Sequence, residues 1–497
     1  MPGDSASLPS QRVPHEQRWV VALAAFAALR VLLSGALFPF FNNVDEPAHY
    51  DLVVKYSRGE VPTSLGPYSP EVVVAARYNS PEYMHTPEHF GGRFRDPPEG
   101  AMAAAAEFAA AQWSQREVNK ESAEPPLYYA LAGLWLRLGQ LLGLGVFHQL
   151  YWLRALDALP AALLVWLGHL TARAVFPESA LQRLGVPLLL AVFPQDTFYA
   201  VAPDMLSPLC FGLGYLGVLR FGAAHARPRA SAAGTGLALA AAALVKLCNV
   251  ALIGVACAYL VLRARSLARE RGARSVLPVL ALLLACVSLP IGAWFVWNRM
   301  RFGDWTGTAQ KVARLTWTAK PISEWWPHPL FSPAGFYAFW SELVASFWRG
   351  EFVWHRQRLA HFGMDIFYWS SSAVLPAVAL IRLPAAREAR SALWLAAASL
   401  ASGIAFLVVL SLRFDFGRCM YPSREHPYFT SGRLLTGALI PFLLLYVHGL
   451  DRSLAFTASA RVRWGALGAI AAAVTASELW LDLGPLSSAY NFFHLGR

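Results

Sequence analysis

The chain has 497 residues, 56% of them hydrophobic, and a formal net charge of +11. So apolar a composition places it among polytopic membrane proteins. Its basic residues cluster in short loops between apolar runs, the positive-inside pattern, so the charge reports orientation and gives no support to a nucleic-acid partner. The five cysteines form no CxxC pair, and no glycine-rich loop has the full P-loop spacing.

Residues 1–18 read as a cytoplasmic tail. The first span, about 19–40, leads outward and is too long and too uniformly apolar for a cleaved signal. Residues 41–125 then form a first outer loop in which thirteen Asp/Glu outnumber seven Lys/Arg. It opens on Asn42-Asn43-Val44-Asp45-Glu46-Pro47-Ala48-His49-Tyr50-Asp51. Asn43 or Asp45 can cap a helix there, and Pro47 falls in its first turn, where a missing N–H costs nothing. This predicts a helix over 45–58, with Asp45 and His49 on one side at i, i+4 spacing. A second helix is expected at 101–118, with irregular, proline-rich chain between the two.

Residues 126–144 would pass for a span by hydropathy, but charge argues otherwise. If they crossed, the basic segments 173–183 and 220–229 would face outward. They are therefore expected to lie along the outer surface as an amphipathic helix, with Arg137 at its middle. Spans follow at about 153–174, 184–200 and 205–222, the last two joined by an outer loop carrying Asp196 and Asp204. The 29-residue run 234–262 has basic loops at both ends, so it should enter and return as two helices of about 14 residues. At about 21 Å each, these would fall short of the roughly 30 Å hydrocarbon core. Their turn, near Lys246, should then sit below the outer surface and line a polar cavity. A span at 276–297, a second large outer loop at 300–362, and spans at about 364–382, 391–412, 432–450 and 464–482 complete one transmembrane domain over 19–482, with 483–497 an outer tail. Eleven spans put the N-terminus inside and the C-terminus outside.

The outer face thus gathers Asp45, Glu46, His49, Arg58, Glu121, Glu124, Asp196, Asp204 and Arg433, with Lys246 opening toward the same side. Carboxylates beside cations at one membrane surface suit group transfer from a phosphate-linked lipid: the acid orients or deprotonates an acceptor hydroxyl, and cations hold the departing phosphate. Asp45 and Glu46 are the candidate catalytic carboxylates. Lys246, Arg433 and Arg58 are candidates for the donor phosphate, and Asp204, Asp196, Glu124 and His49 for acceptor-linked or metal-linked roles. His328, His355 and His361 are too scattered to read as metal ligands, and no metal site is assigned.

These residues carry a resemblance. Asp45-Glu46 directly after the first span, Pro125-Pro126-Leu127-Tyr128-Tyr129, Pro203-Asp204, Leu244-Val245-Lys246, Trp297-Asn298-Arg299 with Phe302-Gly303-Asp304, and Ser431-Gly432-Arg433-Leu434-Leu435 recur in that order. Over about 20–445 the chain resembles the GT-C superfamily of polyprenyl-phosphate-sugar-dependent glycosyltransferases, which includes protein O-mannosyltransferases and lipid A aminoarabinose transferases. It looks closest to an uncharacterised bacterial branch. The resemblance implies an all-α polytopic GT-C-like fold in the bacterial inner membrane with its site on the periplasmic face. It implies Asp45 as catalytic carboxylate, Lys246 as phosphate ligand, and matching roles for Asp204 and Arg433. The donor would be a polyprenyl-phosphate sugar and the acceptor a glycan, lipid or protein. Many relatives have His before the Pro-Pro pair where this chain has Glu124, so that contact does not carry over. Metal-dependent relatives hold a divalent cation such as Mg or Mn between paired acids; Asp45, Asp196 and Asp204 could do so here, although no spacing demands it. The alternative is a transporter or lipid flippase, for which only one short hairpin speaks. A third reading is an assembly scaffold with a degenerate site.

Overall fold

The computed structural model describes residues 15–43, 45–78, 82, 98–108, 118–223, 227–419, 421–457 and 459–494. Its helices, in chain order, are α1 Glu16–Leu37, α2 Glu46–Ser57, α3 Pro70–Tyr78, α4 Ala101–Phe108, α5 Pro126–Leu141, α6 Val146–Ala155, α7 Ala158–Val175, α8 Ala180–Ala191, α9 Leu206–Leu219, α10 Pro228–Val245, α11 Val250–Arg271, α12 Ala273–Arg301, α13 Ala309–Arg314, α14 Pro333–Arg349, α15 Phe362–Ile381, α16 Arg387–Arg413, α17 Leu439–Ser453 and α18 Ala460–Leu486. Only two-residue strands accompany them among the described residues: Thr318–Ala319 antiparallel to Phe414–Asp415, and Val353–Trp354 antiparallel to Gln357–Arg358. The all-α, multi-pass architecture is the expected one. Among the described residues nine helices, some of them joined pairs, are long and apolar enough to cross a membrane, and two shorter apolar ones, Ala180–Ala191 and Pro203–Leu219, fall where two further spans are expected.

Burial sorts the spans. Helix α17 is enclosed on almost every side, Leu439 through Leu450 all being buried, and it packs against α8, α15 and α16. Helix α12 keeps apolar side chains such as Leu277, Leu289 and Val296 exposed, as a lipid-facing helix does. Helix α5 has two faces. Tyr128, Tyr129, Ala132, Gly133 and Leu136 pack on α2, while Leu131, Leu134, Leu138 and Leu141 point outward. At 16 residues it is about 24 Å long, too short to span without tilt and suited to an interfacial position.

Three expectations need correction. The hairpin breaks at Lys246, where the chain is extended (φ −152°, ψ 121°), but its arms are 18 and 22 residues long, about 27 and 33 Å. They run on past the apolar stretch because Arg, Ala, Leu and Glu are good helix formers and long basic side chains reach water from a buried backbone. Arm length therefore no longer argues for a submerged turn, although Lys246 itself is buried. Next, the expected span 184–200 is α-helical only to Ala191; residues 192–205 continue as buried chain broken into two 3-10 turns, Asp196–Tyr199 and Pro203–Met205. Gln195 makes this tolerable by donating to the backbone carbonyls of Ser346 and Phe347 at 3.0 and 2.9 Å. The stretch expected as the second outer loop also contains a helix that the sequence reading leaves unmarked, α14. Ser332 caps it by accepting from the Gly335 N–H at 3.1 Å, Pro333 starts it, and Gly350 ends it at φ 85°. Its Trp348 is wholly buried, lies near-parallel to Tyr368 with ring centres 4.9 Å apart, and donates to Ser372 at 2.9 Å. In the first loop, α3 forms where irregular chain is expected, and the expected helix over 101–118 is described only as far as Phe108.

Candidate functional site

Asp45 stands at the start of α2, yet its side chain makes no capping hydrogen bond. It is instead ion-paired with Arg433. Burial works against its charge, but Arg433, with His49 and Lys311 behind it, holds the carboxyl well below the usual carboxylate range. A glycine brings Arg433 there. Gly432 donates its N–H to Ser346 Oγ at 2.8 Å, and any Cβ on it would overlap the backbone of Phe347, so the short 3-10 turn after Ser431 can dock on α14 only with glycine at this position. Arg433 Nε reaches Ser431 Oγ at 3.3 Å and Glu351 at 3.7 Å, and Ser431 donates to Glu351 at 2.7 Å.

The hairpin turn supplies a second cation. Lys246 is ion-paired with Asp204, which is fully buried and has its Oδ2 unpartnered. The two pairs adjoin: the charges of Asp45, Asp204 and Glu351 all act on Arg433, and Cys248 Sγ lies 3.3 Å from the Leu434 carbonyl oxygen. On the other side of Asp45, His49 is hydrogen-bonded through Nδ1 to the Tyr129 hydroxyl at 2.8 Å, and burial lowers its basicity. Glu121 accepts two bonds from Lys311 of α13 at 2.7 and 2.6 Å. Glu124 lies beside them, and burial together with Glu121 pushes its carboxyl up to about 7. Asp196 is buried, accepts the Glu351 N–H at 3.2 Å and leaves Oδ1 unpartnered; burial and Glu351 push it up to about 7 as well.

The structure thus brings together Asp45, His49, Glu124, Asp204, Lys246 and Arg433, with Asp196 at the edge beside Glu351. Two candidates fall outside. Glu46, fully buried, points the other way: Arg154 grips both of its oxygens at 2.7 Å, and the Val201 N–H donates to it at 2.9 Å. Three of its acceptor sites are thus taken up away from the Asp45 cluster. Arg58 is an exposed surface residue paired with Glu71, away from the other cations. As for a divalent ion, no three His, Cys, Asp or Glu among the described residues stand where they could hold one. Asp45 and Asp204 each face a cation instead, so the arrangement does not fit a resident metal.

A family model described as "predicted membrane protein (DUF2142)" matches residues 29–418. The chain belongs to the DUF2142 family. No curated protein matches it. Among solved structures, ArnT from Cupriavidus metallidurans bound to undecaprenyl phosphate is similar at 14% identity and TM-score 0.47, covering 96% of this chain and 74% of ArnT. The Archaeoglobus fulgidus oligosaccharyltransferase with zinc and sulfate is similar at 13% identity and TM-score 0.42, covering 95% of this chain and 53% of that one. The same organism's AglB, with an inhibitory peptide and a dolichol-phosphate, gives 12% identity and TM-score 0.39, covering 96% and 56%. This DUF2142 chain therefore spans about half the length of those oligosaccharyltransferases, and all three likenesses are distant.

Sequence reading of this DUF2142 protein misses Lys311, Glu351 and Arg154, and counts Glu121 on the outer face without giving it a role. Arg154 was open to detection, being a lone cation near the start of an expected span. Lys311 and Glu351 sit in a long polar loop and carry no local signal. Asp51 also escapes notice: fully buried, it gathers Ser69 N–H at 2.6 Å and Lys55 and Asn119 at 2.7 Å each, and so fixes the first loop around α2.

Proposed function

We propose that this protein is an integral membrane glycosyltransferase that moves a sugar from a polyprenyl-phosphate donor to an acceptor on the outer face of a bacterial inner membrane. The observation that carries the reading is the Asp45–Arg433 pair with Lys246–Asp204 beside it: a partly exposed carboxylate on one cation at the start of the first loop, and a second cation held next to them by its own carboxylate. In the proposed reaction Arg433 and Lys246 bind the donor phosphate. Asp45 takes the acceptor hydroxyl proton as the acceptor oxygen bonds to the anomeric carbon. The bond from that carbon to the phosphate oxygen breaks, and polyprenyl phosphate leaves with the electron pair, inverting the centre.

The resting ion pairs fit this order of events. A carboxylate bound to a guanidinium is a poor base, so Asp45 is quiet until something else claims Arg433. The donor phosphate would do so, raising the basicity of Asp45 only when a sugar is in place. Purification in mild detergent followed by lipid mass spectrometry tests the reading. A polyprenyl-phosphate species retained by wild type and lost on Lys246→Met is the expected result. A transported small solute in its place would favour the transporter alternative.

A further inference from the structure

A small cavity lies apart from the Asp45 cluster, against the last helix. Its walls include Tyr199, Arg349, Phe352, Ser477, Glu478 and Asp482, and it has room for the centre of about one water-sized body, about 10 Å³. Glu478 and Asp482 stand one turn apart on α18, an apolar helix whose other face exposes Leu479, Trp480 and Leu483. Both acids turn inward and are 7% exposed.

Their charges are not matched. Glu478 is paired with Arg30 of α1, whose other end donates to the Phe193 carbonyl at 2.7 Å. Arg349 is taken by Asp365, at 2.8 and 2.9 Å. Asp482, more than nine-tenths buried, has neither a hydrogen bond nor an ion pair among the described residues. Two carboxyl groups facing one available guanidinium leave Asp482, when ionised, as one excess negative charge beside a space for one small body. Such a charge inside a membrane helix is costly unless something compensates it.

We propose that Asp482, Glu478 and the Tyr199 hydroxyl hold a single alkali cation, Na⁺ or K⁺, in this cavity. A divalent ion is disfavoured because no third His, Cys, Asp or Glu among the described residues completes the set. The cation would tie α18 to the 3-10 turn Asp196–Tyr199 and to the segment that starts at Arg349 and carries Gly350 and Glu351. Those are the pieces that stand behind Arg433. Cation occupancy would therefore set the stiffness of the wall on which the phosphate-binding arginine rests.

Thermal unfolding of the full chain in nanodiscs, titrated with NaCl or KCl against choline chloride at constant ionic strength and pH, tests this without any assay of activity. The midpoint of wild type should rise with one alkali cation and not with choline, and Asp482→Asn should abolish the response. Should Asp482→Asn fail to fold, Tyr199→Phe, which removes only the neutral oxygen, should raise the half-saturating cation concentration several-fold. A wild-type midpoint indifferent to Na⁺ and K⁺, or a response that survives in Asp482→Asn, would overturn the proposal and leave Asp482 as a carboxyl that simply carries its own proton.

Discussion

Glu46 and Arg154 fasten the end of the first span to the start of α2. Besides the two bonds to Glu46, Arg154 donates to the carbonyls of Gly35, Phe38 and Pro39 at 3.1, 2.7 and 2.7 Å. One guanidinium thus closes the exposed end of α1 and aims the chain that delivers Asp45. Removing one member of a buried, hydrogen-bonded pair strands the other charge, at a cost of about 3–5 kcal/mol. Arg154→Met and Glu46→Leu should each lower the unfolding midpoint strongly, and the double variant should recover part of the loss. Additive losses in the double variant would mean that the two side chains stabilise the fold independently.

Asp45→Asn keeps the size of the side chain and removes its charge. Asp45 makes no capping bond and Arg433 keeps Glu351 as a counter-charge at 3.7 Å, so the variant should still fold, while turnover of a polyprenyl-phosphate sugar should fall by about 100-fold or more, the scale of a lost positioned base. Full activity in this variant would end the catalytic assignment.

Lys246→Met and Arg433→Met remove the two cations proposed for the donor phosphate. Donor affinity, measured by retention of radiolabelled lipid in nanodiscs, should drop in both. Arg433→Met should in addition raise the basicity of Asp45, so that any residual turnover shifts its pH dependence upward. Unchanged donor retention in both variants would refute the phosphate role.

The pH profile of stability follows from Glu124 and Asp196. Both carboxyls are raised to about 7 in the folded protein, above the ordinary carboxylate range. The folded state therefore holds more protons than the unfolded chain between those values. Stability from these sites is complete at acid pH and is lost as pH rises from the ordinary carboxylate range through about 7. The unfolding midpoint should decline over that window, and Glu124→Gln with Asp196→Asn should flatten the decline. A decline of the same slope in the double variant would place its origin elsewhere.

Topology can be read with an impermeant thiol reagent in a background lacking the native cysteines. Lys120→Cys and His148→Cys, on either side of α5, should both label from outside intact cells if α5 lies on the surface. Protection of position 148 until permeabilisation would make α5 a crossing helix and reverse the segments after it.

What the sequence could tell depended on the range of the forces involved. Spans are local sums of transfer free energy, so α1, α12, α15, α16 and α18 are visible as apolar runs. Lys246 is visible for the complementary reason, a lone charge in such a run. Asp45 is visible because it follows the first span at a helix start. Its partner is another matter: the pairing with Arg433 crosses 388 positions and leaves no mark on either neighbourhood. The same holds for Lys311 with Glu121 and for Arg154 with Glu46. Helix α14 was within reach, since Ser332-Pro333 and Gly350 bound it by the usual start and stop signals. Its aromatic residues sit among prolines and charges, and that context hides the apolar stripe Phe339, Leu343, Phe347. The two acids of α18 lie at the outer end of an apolar run, where sequence reads them as a membrane boundary and only packing shows them facing inward.

Asp45 leaves the ribosome 388 residues before Arg433, and Glu121 precedes Lys311 by 190. Over those stretches of synthesis each carboxylate lacks the cation that it pairs with in the finished fold. The cluster closes only when the turn after Ser431 has been translated and has found its seat on α14. A nascent chain stopped short of that point holds nearly every span, including both hairpin arms, and still lacks half of the proposed phosphate grip. If the proposed donor site is right, order of translation would keep a half-built chain from binding a donor lipid until the last part of the bundle has arrived.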